Sequence, residues 1–305
     1  MENLFRTVNA LFAFIAPVSD FLWDFPTNFK AYSQIPVLGQ FPFAILLLVG
    51  VGIHFSIRTR FVQTMNPRKI VRIMLRRQSS GTGISAIASF MLGLAMRAGP
   101  GNIVSITGAI SVGGPGALFW MWVAAFFGMA TAFMESTLAQ LFKEKKHDEF
   151  VDGLPFYGRR ILGDRRGVGT FLSLVFIVYA LFNVPPQTFN VFTAMGTIAA
   201  VTGEHLARQS TVYYCIAVGL VVACSFIIMG GIRRVTAYTD VLVPIKAALF
   251  CLMSLVIIAI NLPLIPYFFH EVIVGAFAPH TLFGSAIGTP LAQGVKRGLM
   301  SNEAG

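Results

Sequence analysis

The chain has 305 residues, of which 55% are hydrophobic and 12% are charged, and its formal net charge is +10. Soluble domains carry about a quarter charged residues. This composition, with 29 phenylalanines and a mean hydropathy of +0.72, therefore excludes an ordinary soluble domain and indicates a polytopic membrane protein. The three cysteines have neither a CxxC spacing nor a histidine at metal-ligand spacing, so we predict no metal site.

The apolar segments give the order of the predicted elements. Residues 1–40 lack a clean cleavage site after their short apolar core, so we expect an extracellular or interfacial N-terminal segment. A helix needs ~20 residues to cross ~30 Å of hydrocarbon. Segments of about this length or longer fall at 41–57, 84–110, 116–142, 168–199, 211–230 and 241–262, and a last one begins near 284.

Basic residues are concentrated on one side of these predicted spans. Segments 58–83 and 143–167 hold seven each, and the turn after the fifth span holds Arg233 and Arg234, which together make 16 of the 23. Cytoplasmic loops of membrane proteins carry an excess of lysine and arginine. We therefore expect a multi-pass protein whose N-terminus is outside and whose basic loops are cytoplasmic. The net charge then needs no nucleic-acid partner.

Four basic residues fall inside predicted spans, where charge is expensive and normally faces a bundle interior or a water-filled cavity. Lys246 lies about six residues into its span from the cytoplasmic side, so its side chain can extend back to the interface. Arg97 lies ~20 Å along its helix and cannot do so. The candidate acidic partners are Glu135, Asp240 and Glu303. The predicted intramembrane charge and gating set is Arg97, Glu135, Arg297 and Glu303.

Two of the predicted spans contain helix-breaking residues beside these charges. Pro100, between Gly99 and Gly101, donates no amide hydrogen, so the helix should kink or unwind there. Unwound backbone survives in a membrane only where it is buried in protein or lines a cavity, and its carbonyls can then coordinate a cation. The stretch "GTPLAQGVKRGLMSNEAG" (288–305) has similar features.

The second of these segments begins five spans after the first, a spacing typical of transporters built from inverted repeats. A packing kink would explain the Gly-Pro-Gly triplet alone, and a structural ion pair would explain Arg97 alone. The coincidence of two breaks, each beside intramembrane charge, favours a transport site.

The stretch "RAGPGNIVSITGAISVGGPGALFWMWVAAFFGMATAFMESTLAQLFK" (97–143) resembles the alanine/glycine:cation symporter family, the sodium:alanine symporters. "GVKRGLMSNEAG" (294–305) is similar to the second signature of that family, and "GLPFYGRRILG" (153–163) is a weaker match. The resemblance implies an all-α, leucine-transporter-like inverted-repeat fold. On this interpretation 41–57 is an extra helix, 84–262 is the first five-helix repeat and 284–305 starts a second repeat. The fold is then expected to be incomplete, with the chain truncated at the second signature.

The resemblance also implies symport of a small neutral amino acid, alanine or glycine, with sodium across the bacterial plasma (inner) membrane. Sodium would be the coupling ion, and no other cofactor is implied. Backbone carbonyls of Ala98, Gly99 and Asn102 are the candidate sodium ligands. Pro100 replaces a threonine that is common in the family, which puts alanine specificity in doubt. The candidate substrate-binding residues are Gly99, Pro100, Gly101, Asn102, Asn183, Gln187, Ser301 and Asn302.

Three alternative functions compete with symport. An ion channel is disfavoured because no repeated filter sequence is present. An enzyme is disfavoured because the chain has no HExxH motif and no phosphate-binding loop, so we expect no catalytic residues. A partial chain that cannot transport by itself is the strongest rival for the 305-residue species.

Overall fold

The computed structural model describes residues 17, 21, 24–35, 38–64, 67–75, 85–97, 100–146, 149–181, 194, 211–277 and 290–301. Most of them are helical. The helices are α1 (Lys30–Ser33), α2 (Phe43–Arg58), α3 (Pro67–Leu75), α4 (Ala86–Arg97), α5 (Pro100–Gly113), α6 (Ala117–Leu141), α7 (Leu154–Ile161), α8 (Arg166–Leu181), α9 (Thr211–Ile228), α10 (Gly231–Ile260), α11 (Ile265–Phe277) and α12 (Pro290–Ser301).

Two of the described helices are long and apolar enough to cross a membrane: α6, and residues Arg234–Ile260 of α10. The α6 bounds agree with the predicted segment 116–142, whereas α10 begins ten residues before the predicted 241–262. Arg233 and Arg234 therefore lie in the first turn of α10 and not in a loop. The helical class that the composition predicted is confirmed in the described part of the chain.

Two elements were not predicted. A short antiparallel hairpin, β1 (Glu144–Lys146) with β2 (Glu149–Val151), lies in the basic loop and adds strands to the expected all-α fold. Helix α11 occupies a stretch that the sequence analysis left unassigned, because His270 and Glu271 interrupt its apolar run. Its Val272 and Ala276 are nevertheless fully buried.

The chain divides into two compact units. The first comprises Met1–Gln63, Ser105–Phe133 and Pro263–Ala304. Its core joins α2, α6 and α12, with Trp120 packed against the buried residues. These buried residues are Phe41, Ile45, Ala124, Leu291 and Val295.

Two glycines explain how closely α12 approaches α6 within this unit. Gly294 and Gly298 are four residues apart, so they lie on the same face of α12. A Cβ atom at Gly294 would lie 2.7 Å from Cβ of Trp120 and would also meet the carbonyl oxygen of Ala117. A Cβ atom at Gly298 would lie 3.0 Å from Cα of Met121. Small residues at this spacing allow two membrane helices to pack backbone against backbone.

The second unit comprises Thr64–Val104 and Met134–Leu262, together with Gly305. Within it, α10 packs along α4 and α9. Arg234 Nη1 donates to the carbonyl oxygen of Phe226 at 2.9 Å, which satisfies one of the last carbonyls of α9. In the cytoplasmic loop of the predicted topology, Arg159 joins the hairpin to α7 through an ion pair with Glu144 (Nη2–Oε1, 2.6 Å).

Candidate functional site

The first candidate site is the junction of α4 and α5. Helix α4 ends at Arg97 and α5 begins at Pro100, on either side of the predicted break, which itself stays a prediction. Proline suits the first position of a helix because the amide hydrogen it lacks would have no intrahelical partner there. Ala98, Gly99 and the side chain of Arg97 lie outside the described residues, so the predicted ion pair of Arg97 stays a prediction.

The predicted break would give these two helix ends different chemistry. The last carbonyls of α4 would have no intrahelical donors, and the first amides of α5 would have no intrahelical acceptors. The α5 end, which includes Gly101 and the partly buried Asn102, therefore favours an anionic group, whereas the α4 end favours a cation.

A lysine is already placed at the α4 end. Lys246 Nζ of α10 donates to the carbonyl oxygen of Ala95, in the last turn of α4, at 3.5 Å. Lys246 was expected to extend to the interface, and this acceptor within the protein was not predicted. Its ammonium group thus lies beside a carbonyl in the last turn of α4.

The second candidate site is on α12, where Lys296 and Arg297 are adjacent. Lys296 Nζ pairs with Oδ1 of Asp24 at 3.0 Å, and the two side chains are 28% and 34% exposed. Asp24 was not among the predicted acidic partners, because it lies in the N-terminal segment and outside the predicted apolar spans. The available signal was that the N-terminal segment contributes three of the few acidic residues of the chain.

Arg297 lies against α5 in the same unit. Its Nε donates to Oε1 of Gln293 at 3.5 Å. A Cβ atom at Gly108 would lie 2.9 Å from its Nη1, so the absence of a side chain at Gly108 leaves room for the guanidinium group. The predicted gating residue Arg297 therefore contacts the continuation of the first broken segment.

Glu135, the other described member of the predicted charge set, lies at the end of α6 that falls in the second unit. It accepts a hydrogen bond from Tyr157 of α7. Burial, and next the charge of Glu135, raise the pKa of Tyr157 above its usual value of 10.0. Both residues line a cavity of about 400 Å³, together with Asp152, Ser173 and Phe176.

The remaining predicted site residues cannot be placed. Ser301 is the last residue of α12, and nothing is described of its side chain. Outside the described residues lie Asn183, Gln187, Asn302 and Glu303.

Comparison with known proteins decides the family. The sodium:alanine symporter family is matched over residues 29–305, which is nearly the whole chain. The chain belongs to the sodium:alanine symporter family. This family consists of transporters and not enzymes, and membership makes the chain an integral protein of the plasma membrane.

Individual relatives agree with this assignment. The chain is 35% identical over 292 residues to YrbD of Bacillus subtilis, with coverage of 96% of the chain and 55% of YrbD. It is 33% identical over 277 residues to the amino-acid carrier protein AlsT of Bacillus subtilis, covering 91% of the chain and 57% of AlsT. It is also 33% identical over 276 residues to the sodium/alanine symporter AgcS of Methanococcus maripaludis, covering 87% of the chain and 58% of AgcS. The chain thus spans little more than half the length of these relatives.

Proposed function

We propose that the protein is a secondary active transporter that carries a small neutral amino acid, alanine or glycine, together with sodium across the plasma membrane. The observation that carries this proposal is that α4 ends at Arg97 and α5 begins at Pro100, inside the region that the symporter family matches. The name of AgcS specifies sodium and alanine, and the name of AlsT specifies an amino acid. These names support the chemical class of the cargo.

In this proposal the amino acid and the ion bind the two helix ends. The substrate carboxylate binds the amide end of α5, at Gly101 and Asn102, because the helix N-terminus carries partial positive charge. Pro100 has no amide hydrogen to contribute, so the neighbouring amides replace it. Sodium binds the backbone carbonyl oxygens of Ala98, Gly99 and Asn102. The other proposed substrate contacts are Asn183, Gln187, Ser301 and Asn302.

The fold proposed for this mechanism is the leucine-transporter-like inverted repeat, with the N-terminus outside and the basic loops cytoplasmic. Residues 84–262 form its first repeat and 284–305 begin the second. Such repeats place a substrate site near the bilayer midplane, where alternating access exposes it to each side in turn. The charged residues Arg97, Glu135, Arg297 and Glu303 would control that access.

Thermodynamic linkage tests this proposal without requiring turnover. If sodium and the amino acid share one site, sodium increases the affinity for alanine, and alanine increases the affinity for sodium by the same factor. Binding of labelled alanine to the purified protein, expressed from its complete reading frame, should therefore strengthen when choline is replaced by sodium. Glycine should compete, whereas arginine and glutamate should not. Alanine affinity that is identical in the two salts would contradict sodium coupling.

A further inference from the structure

We infer that helix α3 (Pro67–Leu75) lies flat on the membrane and binds the phosphate groups of anionic phospholipids. This role goes beyond the transport function. It rests on the polarity pattern around α3, on the exposed fractions of its apolar side chains, and on the lack of ion pairs to its basic side chains among the described residues.

The residues of α3 separate by polarity around the helix axis. Successive side chains rotate by ~100° in an α-helix. The basic side chains of α3 then share an arc of ~100°: Arg68, Arg72 and Lys69. The opposite side carries Ile70, Val71, Ile73 and Met74. This is the pattern of a helix that buries one face in the acyl region and presents its cations to headgroups.

The apolar side of α3 is only partly covered by the described part of the protein, in which α3 contacts α4. Ile70 is 52% exposed and Ile73 is 53% exposed, although both side chains are aliphatic. The helix has nine residues and is therefore ~14 Å long, which is too short to cross the bilayer. A position in the plane of the interface buries these side chains without requiring the helix to span.

The charge of α3 selects the kind of lipid. Among the described residues, no ion pair involves Arg68, Lys69 or Arg72, whereas Arg159 and Arg160 of α7 pair with acidic side chains of their own unit. Segment 58–83, which contains α3, carries seven basic residues and no acidic residue. Clusters of this size beside a membrane helix attract anionic lipids, and each basic residue strengthens attachment about fivefold.

Depth measurement by spin labelling tests the inference on the full chain in vesicles. In a variant in which Cys215, Cys224 and Cys251 have been replaced, a spin label is attached through Ile70→Cys on the apolar side or through Lys69→Cys on the basic side. In vesicles of phosphatidylcholine with phosphatidylglycerol, the label at 70 should be relaxed mainly by oxygen, which concentrates in hydrocarbon. The label at 69 should be relaxed mainly by a water-soluble nickel chelate.

Removal of two charges should weaken the attachment by about 30-fold, since each contributes about fivefold. Arg68→Gln with Arg72→Gln, or the use of vesicles of phosphatidylcholine alone, should thus increase the relaxation of the label at 70 by the nickel chelate and decrease its relaxation by oxygen. The matched control is Arg165→Gln with Arg166→Gln, which removes the same charge beside and within the first turn of α8 and should leave the label unmoved. Equal exposure of both labels to nickel, shielding of position 70 from both reagents by a protein partner, or an equal shift in the control would overturn the inference. Transport is not part of the readout, so failure here is distinct from failure of the symport proposal.

Discussion

The close crossing of α12 over α6 gives the sharpest test of the packing. A Cβ atom added at Gly298 would lie 3.0 Å from Cα of Met121 and 3.0 Å from Cβ of Ala124. Carbon atoms at rest are separated by ~3.5–4.0 Å, so Gly298→Ala forces the two helices apart by roughly 0.5–1 Å. Overpacking of this kind costs about 1–3 kcal/mol. The displacement also loosens the buried Val295, one turn earlier on α12.

Gly50→Ala is the matched control for this substitution. Gly50 lies in the interior of α2, and a Cβ atom there meets nothing within 4 Å among the described residues. Alanine replaces glycine in a helix interior with a gain of about 0.5–1 kcal/mol. The two variants should therefore differ by about 1.5–4 kcal/mol in free energy of unfolding. Titration of each with sodium dodecyl sulfate, monitored by loss of helical circular dichroism, measures this difference. Equal stability of the two variants would refute the close helix crossing.

Three further substitutions test individual contacts. Asp24→Asn should lower the free energy of unfolding by about 1 kcal/mol, because it removes the ion pair with Lys296. The exchange Asp24→Lys with Lys296→Asp should restore the stability in the same titration. No recovery would contradict the pairing. Tyr157→Phe should cost about 1 kcal/mol through the lost hydrogen bond to Glu135. Because the folded-state pKa of Tyr157 is raised, this stabilisation is complete below pH 10 and is lost as the pH rises further, so a difference that grows above pH 10 would count against the contact. Lys246→Met should lower the sodium concentration that half-saturates alanine binding, because it removes a positive charge from beside the last turn of α4 and like charges repel. An unchanged sodium dependence would separate Lys246 from the ion site.

Local chemistry made part of this site predictable. Proline suits the first position of a helix, so the start of α5 at Pro100 agrees with the sequence, whereas the predicted break beside it stays a prediction. Likewise, a long apolar run that contains a single charged residue, Glu135, fixes the bounds of α6 to within one residue of the prediction. The two stretches quoted from 97–143 and 294–305 were enough to predict the family, and the comparisons confirm it.

Contacts between distant segments were not predictable in the same way. Asp24 and Lys296 are 272 positions apart, and no local pattern connects them. The acceptor of Lys246 depends on how α10 packs along α4. Gly108 was unremarkable in the sequence, because its role depends on the side chain of Arg297 from another helix. Helix α11 was not predicted, because two polar residues, His270 and Glu271, interrupt the apolar run of a helix that buries Val272 and Ala276.

Uptake into proteoliposomes tests the central claim most directly. The protein, expressed from its complete reading frame, is reconstituted with equal internal and external concentrations of labelled alanine, and an inward sodium gradient is then imposed. Sodium-coupled symport predicts that alanine accumulates above its external concentration and that the excess disappears when the gradient is collapsed. The account would be contradicted if alanine, and labelled glycine in a parallel experiment, stayed at equilibrium across the membrane of correctly folded, sodium-energised vesicles.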